Sequence, residues 1–387
     1  MKQTKEDTIF DRDTIRNSGV ELLKIVAIML IIISHVTQTF VSENPYIPYR
    51  DYVLDVSSAS TDIQHFLLAF LRGFGNWGNT IFFVCSAWFL LKSSKYNKKK
   101  WLFMLVEVWV ISMLILIITY GTGHGDISGK IVIKSILPTI FASNWYITCY
   151  LLFYPIHPLL NLVINRMNRR ELFRLSGAMF ILYFCFVFVK GDLFFCSPII
   201  TWVAIYFIMA YIQLYMKDFV DNMKYNIILF FAGLLGYVGI LVITNYLGFH
   251  FVFMFDKMLR WVSNNNPFLL AMTIGLFNVV RNIQFKSRFI NYISSLSILI
   301  YVIHENIILR TYYRPKMADY VYHNLGYGHI VWWVFIVAVI IFVLGVFCSI
   351  IYEKTLRRFV CIFSSSLYKV LKKLYLAFET YVLMFLR

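Results

Sequence analysis

Charged side chains are scarce in this chain of 387 residues, and that scarcity limits what the protein can be. Only 14% of the residues are Asp, Glu, Lys or Arg, whereas 60% are hydrophobic. Ordinary soluble domains contain about 25% charged residues, so this balance excludes a soluble globular protein. The composition predicts an all-α membrane protein whose chain crosses the bilayer several times.

Cysteines are few and show no metal-binding spacing. None of the six lies in a CxxC pair and most lie within apolar runs, so the sequence predicts neither a disulfide framework nor a metal site. Small buried residues are the simpler interpretation. The six are Cys85, Cys149, Cys185, Cys196, Cys348 and Cys361.

Signatures of common cofactor and hydrolase sites are also missing. The chain has no Walker loop, no GxGxxG after a strand, no HExxH and no GxSxG elbow. Acids within apolar runs are chiefly Glu21, Glu107 and Glu305, which are few for a proton relay. A pump or a redox enzyme is therefore not indicated, and no permanently bound cofactor is predicted.

Apolar runs of span length recur along the chain and predict about ten transmembrane helices. The first has no small-residue cleavage site after it, so it is interpreted as a membrane helix rather than a signal peptide. The second is short and can extend back through residues 62–74. The ten runs are 18–40, 78–91, 101–120, 144–164, 172–189, 198–215, 226–248, 267–280, 289–309 and 329–351.

Basic residues are distributed unevenly between the two sides of these predicted spans. With both termini in the cytoplasm, the inner segments hold 25 Lys and Arg and the outer segments hold nine. This asymmetry follows the positive-inside rule. It also explains the net charge of +16 as a cytoplasmic face turned towards anionic membrane lipid, so no nucleic-acid partner is predicted.

The chain divides into one transmembrane domain and a short tail. Residues 1–352 contain all the predicted spans, and residues 353–387 repeat apolar positions at helical spacing with lysines mostly between them. This pattern predicts an amphipathic helix on the cytoplasmic side of the membrane. In the external segments, residues 131–142 resemble a short interfacial helix, and residues 249–266 are predicted as a loop.

The first apolar run carries three ionisable groups, Glu21, Lys24 and His35. Such groups are costly in lipid and are candidates for function by default. Lys24 and His35 are eleven residues apart, which places them on one helix face and about 16 Å apart along the axis. Glu21 lies near the same face, one turn from Lys24. A histidine that only forms a hydrogen bond between helices is the structural alternative.

A second histidine, His304, lies in the outer half of the ninth run and is followed by Glu305 and Asn306. Three adjacent polar residues within an apolar helix need partners, because lipid offers none. Two histidines at similar depth can face one cavity. The alternative is an internal hydrogen-bond cluster without chemistry.

Three further stretches are candidates for binding. Residues 92–101 hold five lysines, which either mark an inner loop or attract a polyphosphate donor, with Lys98, Lys99 and Lys100 adjacent. Trp145 and Tyr146 open the fourth run, and Asn264 lies in an asparagine-rich turn before Pro267. Aromatic faces and amide groups suit sugars, although interfacial aromatics and Asn-Pro turns are common without any ligand.

Several of these stretches together resemble the acyltransferase-3 family of bacterial integral-membrane enzymes. The strongest element is Lys24 followed by His35, and residues 78–91 (GNTIFFVCSAWFLL) are similar to the family's second-helix pattern. Residues 144–146 (NWY), 263–268 (SNNNPF) and 300–304 (IYVIH) resemble its later motifs in the same order. Ala87 stands where the family usually has glycine, and lysines replace its arginine-rich loop.

The resemblance implies an O-acyltransferase of the exopolysaccharide or capsule type in the bacterial inner membrane. Its donor would be acyl-CoA, most simply acetyl-CoA, and its acceptor a hydroxyl of a cell-surface or lipid-linked glycan. The catalytic candidates are His35 as general base, with Glu21 and His304. Lys24, Lys98, Lys99 and Lys100 would hold donor phosphates, whereas the acceptor candidates are Trp145, Tyr146, Asn264 and Asn306.

Two questions stay open at the level of sequence. The donor is cytoplasmic whereas His35 is predicted nearer the outside, so either the pantetheine arm reaches through the protein or an acyl group is relayed on an enzyme residue such as His35. The main alternative function is a transporter or flippase for a lipid-linked sugar or small acid. Another is a catalytically inactive assembly partner.

Overall fold

The computed structural model describes residues 17–40, 62–93, 95–123, 127–190, 197–325 and 327–385. Every regular element within these residues is a helix, which confirms the prediction of an all-α bundle. Before the ninth predicted run the helices are α1 (Ser18–Phe40), α2 (Asp62–Leu90), α3 (Lys98–Gly121), α4 (Gly129–Ile136), α5 (Trp145–Arg166), α6 (Arg169–Lys190), α7 (Pro198–Tyr215), α8 (Lys217–Asp221), α9 (Met223–His250), α10 (Phe253–Trp261) and α11 (Pro267–Asn282). The last five are α12 (Arg288–Ser295), α13 (Ser297–His304), α14 (Leu309–Leu325), α15 (Ile330–Thr355) and α16 (Arg357–Phe385), with a 3-10 turn, Tyr327–His329, before α15.

Seven of these helices are long and apolar enough to cross a membrane, and they are α1, α3, α5, α6, α7, α9 and α15. An eighth span is possible if α12–α13 and α14, which bend by 61°, act as one unit. The other two predicted runs correspond to α2, which is long but more polar, and to α11, which has only 16 apolar-rich residues. The chain is therefore a multi-pass membrane protein, and the number ten stays a prediction, as do the two cytoplasmic termini.

Helix α2 begins at Asp62, which confirms that the second apolar run extends backwards through residues 62–74. It packs closely on α1 because glycines face that helix. A Cβ on Gly78 would lie 2.5 Å from the carbonyl oxygen of Ala27, and one on Gly75 would lie 2.6 Å from Ser34 Oγ. Small residues allow this close backbone approach between membrane helices. Ser34 Oγ also donates to the carbonyl of Arg72 at 2.6 Å, beside His35 in the chain.

Helices α10 and α11 together run alongside α9, with a break at residues 262–266. Near the end of α9, Gly248 lies against Phe255 of α10. Near its middle, Gly233 lies against the Phe268 carbonyl at the start of α11. Since α9 is 28 residues long, or about 42 Å, the break lies far from both ends of that helix. Residues 249–266 therefore form α10 and a turn beside the middle of α9 rather than a loop without helix, and their external position stays a prediction.

The tail helix α16 begins at Arg357 and packs against the start of α3. Arg357 forms an ion pair with Glu353 at the end of α15, and Lys99 Nζ lies 5.9 Å from the ring centre of Tyr368. Apolar side chains such as Phe359 and Ile362 are exposed on this helix. These contacts agree with a tail helix at the lysine-rich loop, and its place on the membrane surface stays a prediction.

The five cysteines within the described residues are free thiols, and Cys196 lies outside that part of the chain. Cys85 is buried in α2, which agrees with the interpretation of cysteines as small packing residues.

Candidate active site

The two histidines singled out in the sequence face each other across the interface between α1 and α13. His35 Nδ1 lies 3.2 Å from His304 Nε2, and the ring centres are 5.4 Å apart. His304 is 5% exposed, whereas the His35 side chain keeps 12% of its surface accessible. Two residues from opposite ends of the chain therefore form one contact, and His35 is the more accessible member.

Glu305 joins this pair and makes it a cluster. Its Oε2 lies 2.7 Å from His35 Nδ1, and the residue is only 2% exposed. Its other oxygen, Oε1, lies 2.7 Å from Arg310 Nη1, and Oε2 lies 3.3 Å from Arg314 Nη2. In the sequence, Glu305 is identified only as a polar neighbour of His304. A carboxylate that directly follows a membrane histidine is the signal that identifies it.

The path of the chain from the end of α13 to the start of α14 explains how His304, Glu305 and Arg314 come together. Helix α13 ends at His304, Glu305 follows as its C-cap, and α14 begins with a π-helical turn, Leu309–Tyr313. Arg314, from α14, donates through Nη2 to the carbonyl of His304 at 2.7 Å. Carbonyls at a helix end lack helical partners, and a buried guanidinium satisfies this one while it neutralises the acid.

The hydrogen bonds fix which ring nitrogens carry protons. His304 Nδ1 lies 2.9 Å from the carbonyl of Ile300, which only accepts, so this nitrogen carries hydrogen and Nε2 of the neutral ring is an acceptor. Glu305 as a carboxylate also only accepts, so His35 Nδ1 carries hydrogen. In a neutral His35 ring the lone pair is then on Nε2. The arrangement is a carboxylate-oriented imidazole with a proton-accepting nitrogen.

The cluster of His35, His304 and Glu305 also has the composition of a metal site, with ligand atoms within 4.8 Å of one another. The charges around it argue for a different use. The Glu305 carboxylate already contacts two guanidinium groups, and a divalent cation would lie beside both of them. The residues therefore fit a neutralised carboxylate that orients an imidazole better than they fit a metal ion.

Lys24 and Glu21 lie together at the other end of α1. Lys24 Nζ is 3.0 Å from Glu21 Oε1, and Ser294 Oγ donates to Glu21 Oε2 at 2.5 Å. Lys24 Nζ also lies 5.8 Å from the ring centre of Phe89. Along the helix Glu21 is about 21 Å from His35, so it does not join the histidine cluster. Its predicted catalytic role stays a prediction, and its partners include Lys24 and Ser294.

The adjacent lysines Lys98, Lys99 and Lys100 occupy the first turn of α3 and are exposed to the surroundings. Asn97 caps this turn by accepting from the backbone N–H of Lys100 at 3.0 Å. Ser112 of the same helix contacts Asn306, and the lysines lie about 18–21 Å along α3 from Ser112. Their contact with a donor stays a prediction.

The predicted acceptor residues are found in three different places. Tyr146 is buried, and its ring centre lies 5.9 Å from that of Tyr301, which lies 5.6 Å from that of His304. Trp145 packs edge-on against Tyr146 at 5.7 Å. These aromatic rings therefore connect Trp145 to His304 through successive contacts, and Tyr301 belongs to the stretch 300–304 that resembles a family motif.

Asn306 and Asn264 do not contact the histidines. Asn306 is 1% exposed, and its Oδ1 accepts from the backbone N–H of Ile308 at 3.0 Å, so the structure gives it a packing position. Asn264 lies in the break between α10 and α11, beside a separate cavity. Their predicted role in acceptor binding stays a prediction.

Comparison with known proteins identifies the family. The model of the acyltransferase-3 family, described as an acyltransferase domain, matches residues 17–353, which include both histidines and Glu305. No curated protein and no solved structure matches the chain. Since the match covers most of its length, this multi-pass membrane protein belongs to the acyltransferase-3 family and is an acyl-transferring enzyme.

Proposed function

We propose that the protein transfers an acyl group, most simply acetyl, from acyl-CoA to a hydroxyl of a glycan, with His35 as the general base. The observation that carries this proposal is the 2.7 Å contact between His35 Nδ1 and Glu305 Oε2. It leaves Nε2 as the proton-accepting nitrogen of His35, the more accessible of the two histidines. Orientation of an imidazole by a carboxylate is a recurrent solution for activating a hydroxyl.

The chemistry needs a single proton acceptor. The acceptor hydroxyl gives its proton to His35 Nε2 while its oxygen attacks the thioester carbonyl. The tetrahedral intermediate then collapses, the carbon–sulfur bond breaks, and the thiolate of CoA takes the proton back from the imidazolium. Glu305 stabilises the imidazolium that forms between these steps, and general-base catalysis of this kind contributes about 10²–10⁴-fold in rate.

His304 has a positioning role in this scheme. Its Nδ1 donates to the Ile300 carbonyl, so Nε2 of the neutral ring has no hydrogen to give to an oxyanion. Instead, His304 Nε2 accepts from the hydrogen on His35 Nδ1, which is 3.2 Å away and also donates to Glu305 Oε2. We therefore prefer orientation of His35 to oxyanion stabilisation as the function of His304.

The donor is expected on the Lys24 side of α1. Lys24, and at longer range Lys98, Lys99 and Lys100, would attract the phosphates of acyl-CoA, which binds as a substrate rather than as a resident cofactor. About 16 Å along the helix separates Lys24 from His35, a distance that an extended pantetheine arm is suited to cover. A covalent acyl-His35 intermediate is the other route, and a fast-quenched reaction with radiolabelled acetyl-CoA distinguishes them.

The acceptor is expected to be a cell-surface or lipid-linked glycan, and the location is expected to be the bacterial inner membrane. These expectations rest on the family and on the position of the histidines away from the lysine-rich end. Mass spectrometry of the surface polysaccharide with and without the gene identifies the acylated hydroxyl.

The decisive test uses purified protein in lipid nanodiscs with radiolabelled acetyl-CoA and a panel of glycan acceptors. Wild-type protein is expected to release CoA and to acylate at least one acceptor. His35→Ala should lower this rate about 10²–10⁴-fold. His323→Ala, which changes an exposed histidine of α14, should stay within about twofold of wild type. A His35→Ala protein with the wild-type rate at matched expression contradicts the proposal, as does substrate movement across vesicles without thioester turnover.

A further inference from the structure

A polar cavity of about 200 Å³ lies at the break between α10 and α11, away from the histidine cluster. It is bounded by α2, by the start of α7 and by the turn at residues 263–265. A liquid water molecule occupies about 30 Å³, so the cavity has room for roughly six of them or for one group of sugar size. Irregular backbone at this depth is tolerated where it is buried or lines a wet cavity.

Most polar groups around the cavity hold the turn in place. Asn265 Nδ2 donates to the carbonyl of Tyr183 and to Thr201 Oγ1, both at 3.0 Å. The Tyr183 carbonyl lies in the π-helical part of α6, Ile181–Phe186, where helical pairing is altered. Asn76 Nδ2 donates to the carbonyl of Val262 at 2.6 Å. The turn is thus fixed to α2, α6 and α7.

Two acceptor oxygens at the cavity have no protein partner within the described part of the chain. They are Asn79 Oδ1 and Asn264 Oδ1, and both atoms are buried. Asn79 itself is only 8% exposed. Buried polar atoms are normally satisfied, so two unpaired acceptors on one cavity indicate a ligand that donates hydrogen bonds.

The same surroundings disfavour an anion. None of the described residues that line the cavity is charged, and Arg72 belongs to a smaller neighbouring cavity of about 40 Å³. A free helix N-terminus attracts anions, but that of α11 is capped by Asn266 Oδ1, which accepts from the N–H groups of Phe268 and Leu269 at 2.7 and 2.9 Å. An uncharged donor such as a hydroxyl group therefore fits these surroundings.

A series of ring contacts connects the cavity to the candidate active site. Trp202 lines the cavity, and its ring centre lies 4.8 Å from that of Tyr146. Tyr146 packs on Tyr301, which contacts His304, so three ring contacts connect the cavity to the cluster. A second link runs through α2, because the Arg72 carbonyl that accepts from Ser34 is one helical turn from Asn76.

From this arrangement we infer that the cavity binds an uncharged, hydroxyl-rich sugar unit of the acceptor, with Asn79 and Asn264 as acceptors of its hydroxyl hydrogens and Trp202 as an apolar wall. The inference rests on the proposed function for the identity of the sugar as an acceptor. It adds a location and a selectivity: neutral sugars are favoured over uronic acids. Asn79 and Trp202 were not candidates in the sequence.

The experiment is photo-crosslinking of the full chain in nanodiscs, without any acyl donor. The probe is a neutral hexose glycoside that carries a small diazirine, and labelled peptides are located by mass spectrometry. Label is expected in the segments that contain Asn79, Trp202 and Asn264. Excess methyl glucoside should compete at least tenfold better than glucuronate.

Variants separate specific binding from general surface labelling. Asn79→Leu and Asn264→Ala should each reduce label at these segments at least fivefold at a subsaturating probe concentration. Asn324→Leu changes an exposed asparagine of α14 and should leave the label within twofold of wild type. Two substitutions on different elements keep the test valid if one of them prevents folding.

Each outcome decides between the two ideas. The inference is overturned by absence of saturable label at these segments, by label in Asn79→Leu and Asn264→Ala equal to wild type, or by equal competition from glucuronate. If such a protein still transfers acetyl from acetyl-CoA to glycans, the proposed function stands and only the cavity assignment fails. Conversely, if the protein is labelled specifically at these segments but transfers no acyl group, the sugar site stands and the proposed reaction is contradicted.

Discussion

His35 Nδ1 and Glu305 Oε2 lie 2.7 Å apart, although one residue is on the first helix and the other follows α13 near the end of the family domain. The acid is buried and contacts two arginines, Arg310 through Oε1 and Arg314 through Oε2, and the same Oε2 orients the imidazole. This relationship is the reason to propose a catalytic role for His35 rather than a hydrogen bond between helices alone. It also predicts which substitutions lower the acyl-transfer activity and which lower only the stability of the fold.

Glu305→Gln should remove most of the acyl-transfer activity while the protein still folds. The amide keeps the size of the side chain but removes the charge that stabilises an imidazolium on His35. Loss of such a carboxylate from a histidine pair costs up to about 10⁴ in rate, so a fall of about 10²–10⁴-fold in kcat is expected. CoA release from radiolabelled acetyl-CoA measures it. The control is Glu171→Gln, since Glu171 only closes the capping box of α6. Near-normal kcat in Glu305→Gln contradicts the assigned role.

The two arginines at Glu305 should differ in importance. Arg314 is buried and bridges the carbonyl of His304 and the Glu305 carboxylate, whereas the Arg310 side chain is 34% exposed and, among the residues that the structure describes, forms an ion pair with Glu305 only. A lysine keeps the charge but lacks the planar fork. Arg314→Lys should therefore lower activity at least tenfold and lower the unfolding temperature, and Arg310→Lys should change activity less than threefold. Activity and thermal unfolding in detergent measure both, and equal effects would rule out the bridging role.

The residues that carry this site were partly predictable from the sequence. An apolar run with Lys24 and His35 on one face indicated a functional helix, and His304 was identified because charged and polar groups in lipid need partners. Both histidines meet in the structure. Periodicity within one helix, however, gives no information on which other helix it contacts, so Glu305 was seen only as a polar neighbour and Arg314 only as part of an external segment.

Helix breaks were the least predictable part of the fold. The asparagine-rich turn at residues 263–268 is predicted as external, because Asn-Pro is typical of turns and the segment 249–266 lies between two predicted spans. In the structure the turn lies beside the middle of α9, and Asn76, Asn265 and Asn266 satisfy its backbone and neighbouring carbonyls. Those hydrogen bonds join four helices and have no signature in local sequence. The cavity beside Asn79 and Trp202 follows from the same break and was equally hidden.

Lys24→Ala should weaken donor binding more than it slows the chemical step. Lys24 Nζ forms an ion pair with Glu21, and the Lys24 side chain is 24% exposed. Lys24 lies about 16 Å along α1 from His35. If it attracts donor phosphates, the KM for acetyl-CoA should rise about tenfold, with kcat within threefold, and the change should shrink at high salt. Steady-state kinetics at two ionic strengths measure this. Substitution of all three of Lys98, Lys99 and Lys100 by Ala tests whether they share the role. A large loss of kcat in Lys24→Ala with unchanged KM would instead tie Lys24 to the chemical step.

Gly78→Ala should destabilise the protein by disturbing the α1–α2 interface that supports His35. The added Cβ would lie 2.5 Å from the Ala27 carbonyl, which is helix backbone and cannot rotate away. Overpacking of this kind costs about 1–3 kcal/mol, so the unfolding temperature in detergent should fall by several degrees. Gly121→Ala is the matched control, because nothing lies within 4 Å of a Cβ at the end of α3. Alanine there should be neutral or slightly stabilising through its higher helix propensity. Equal unfolding temperatures for the two variants would show that the close approach of α1 and α2 is not required for stability.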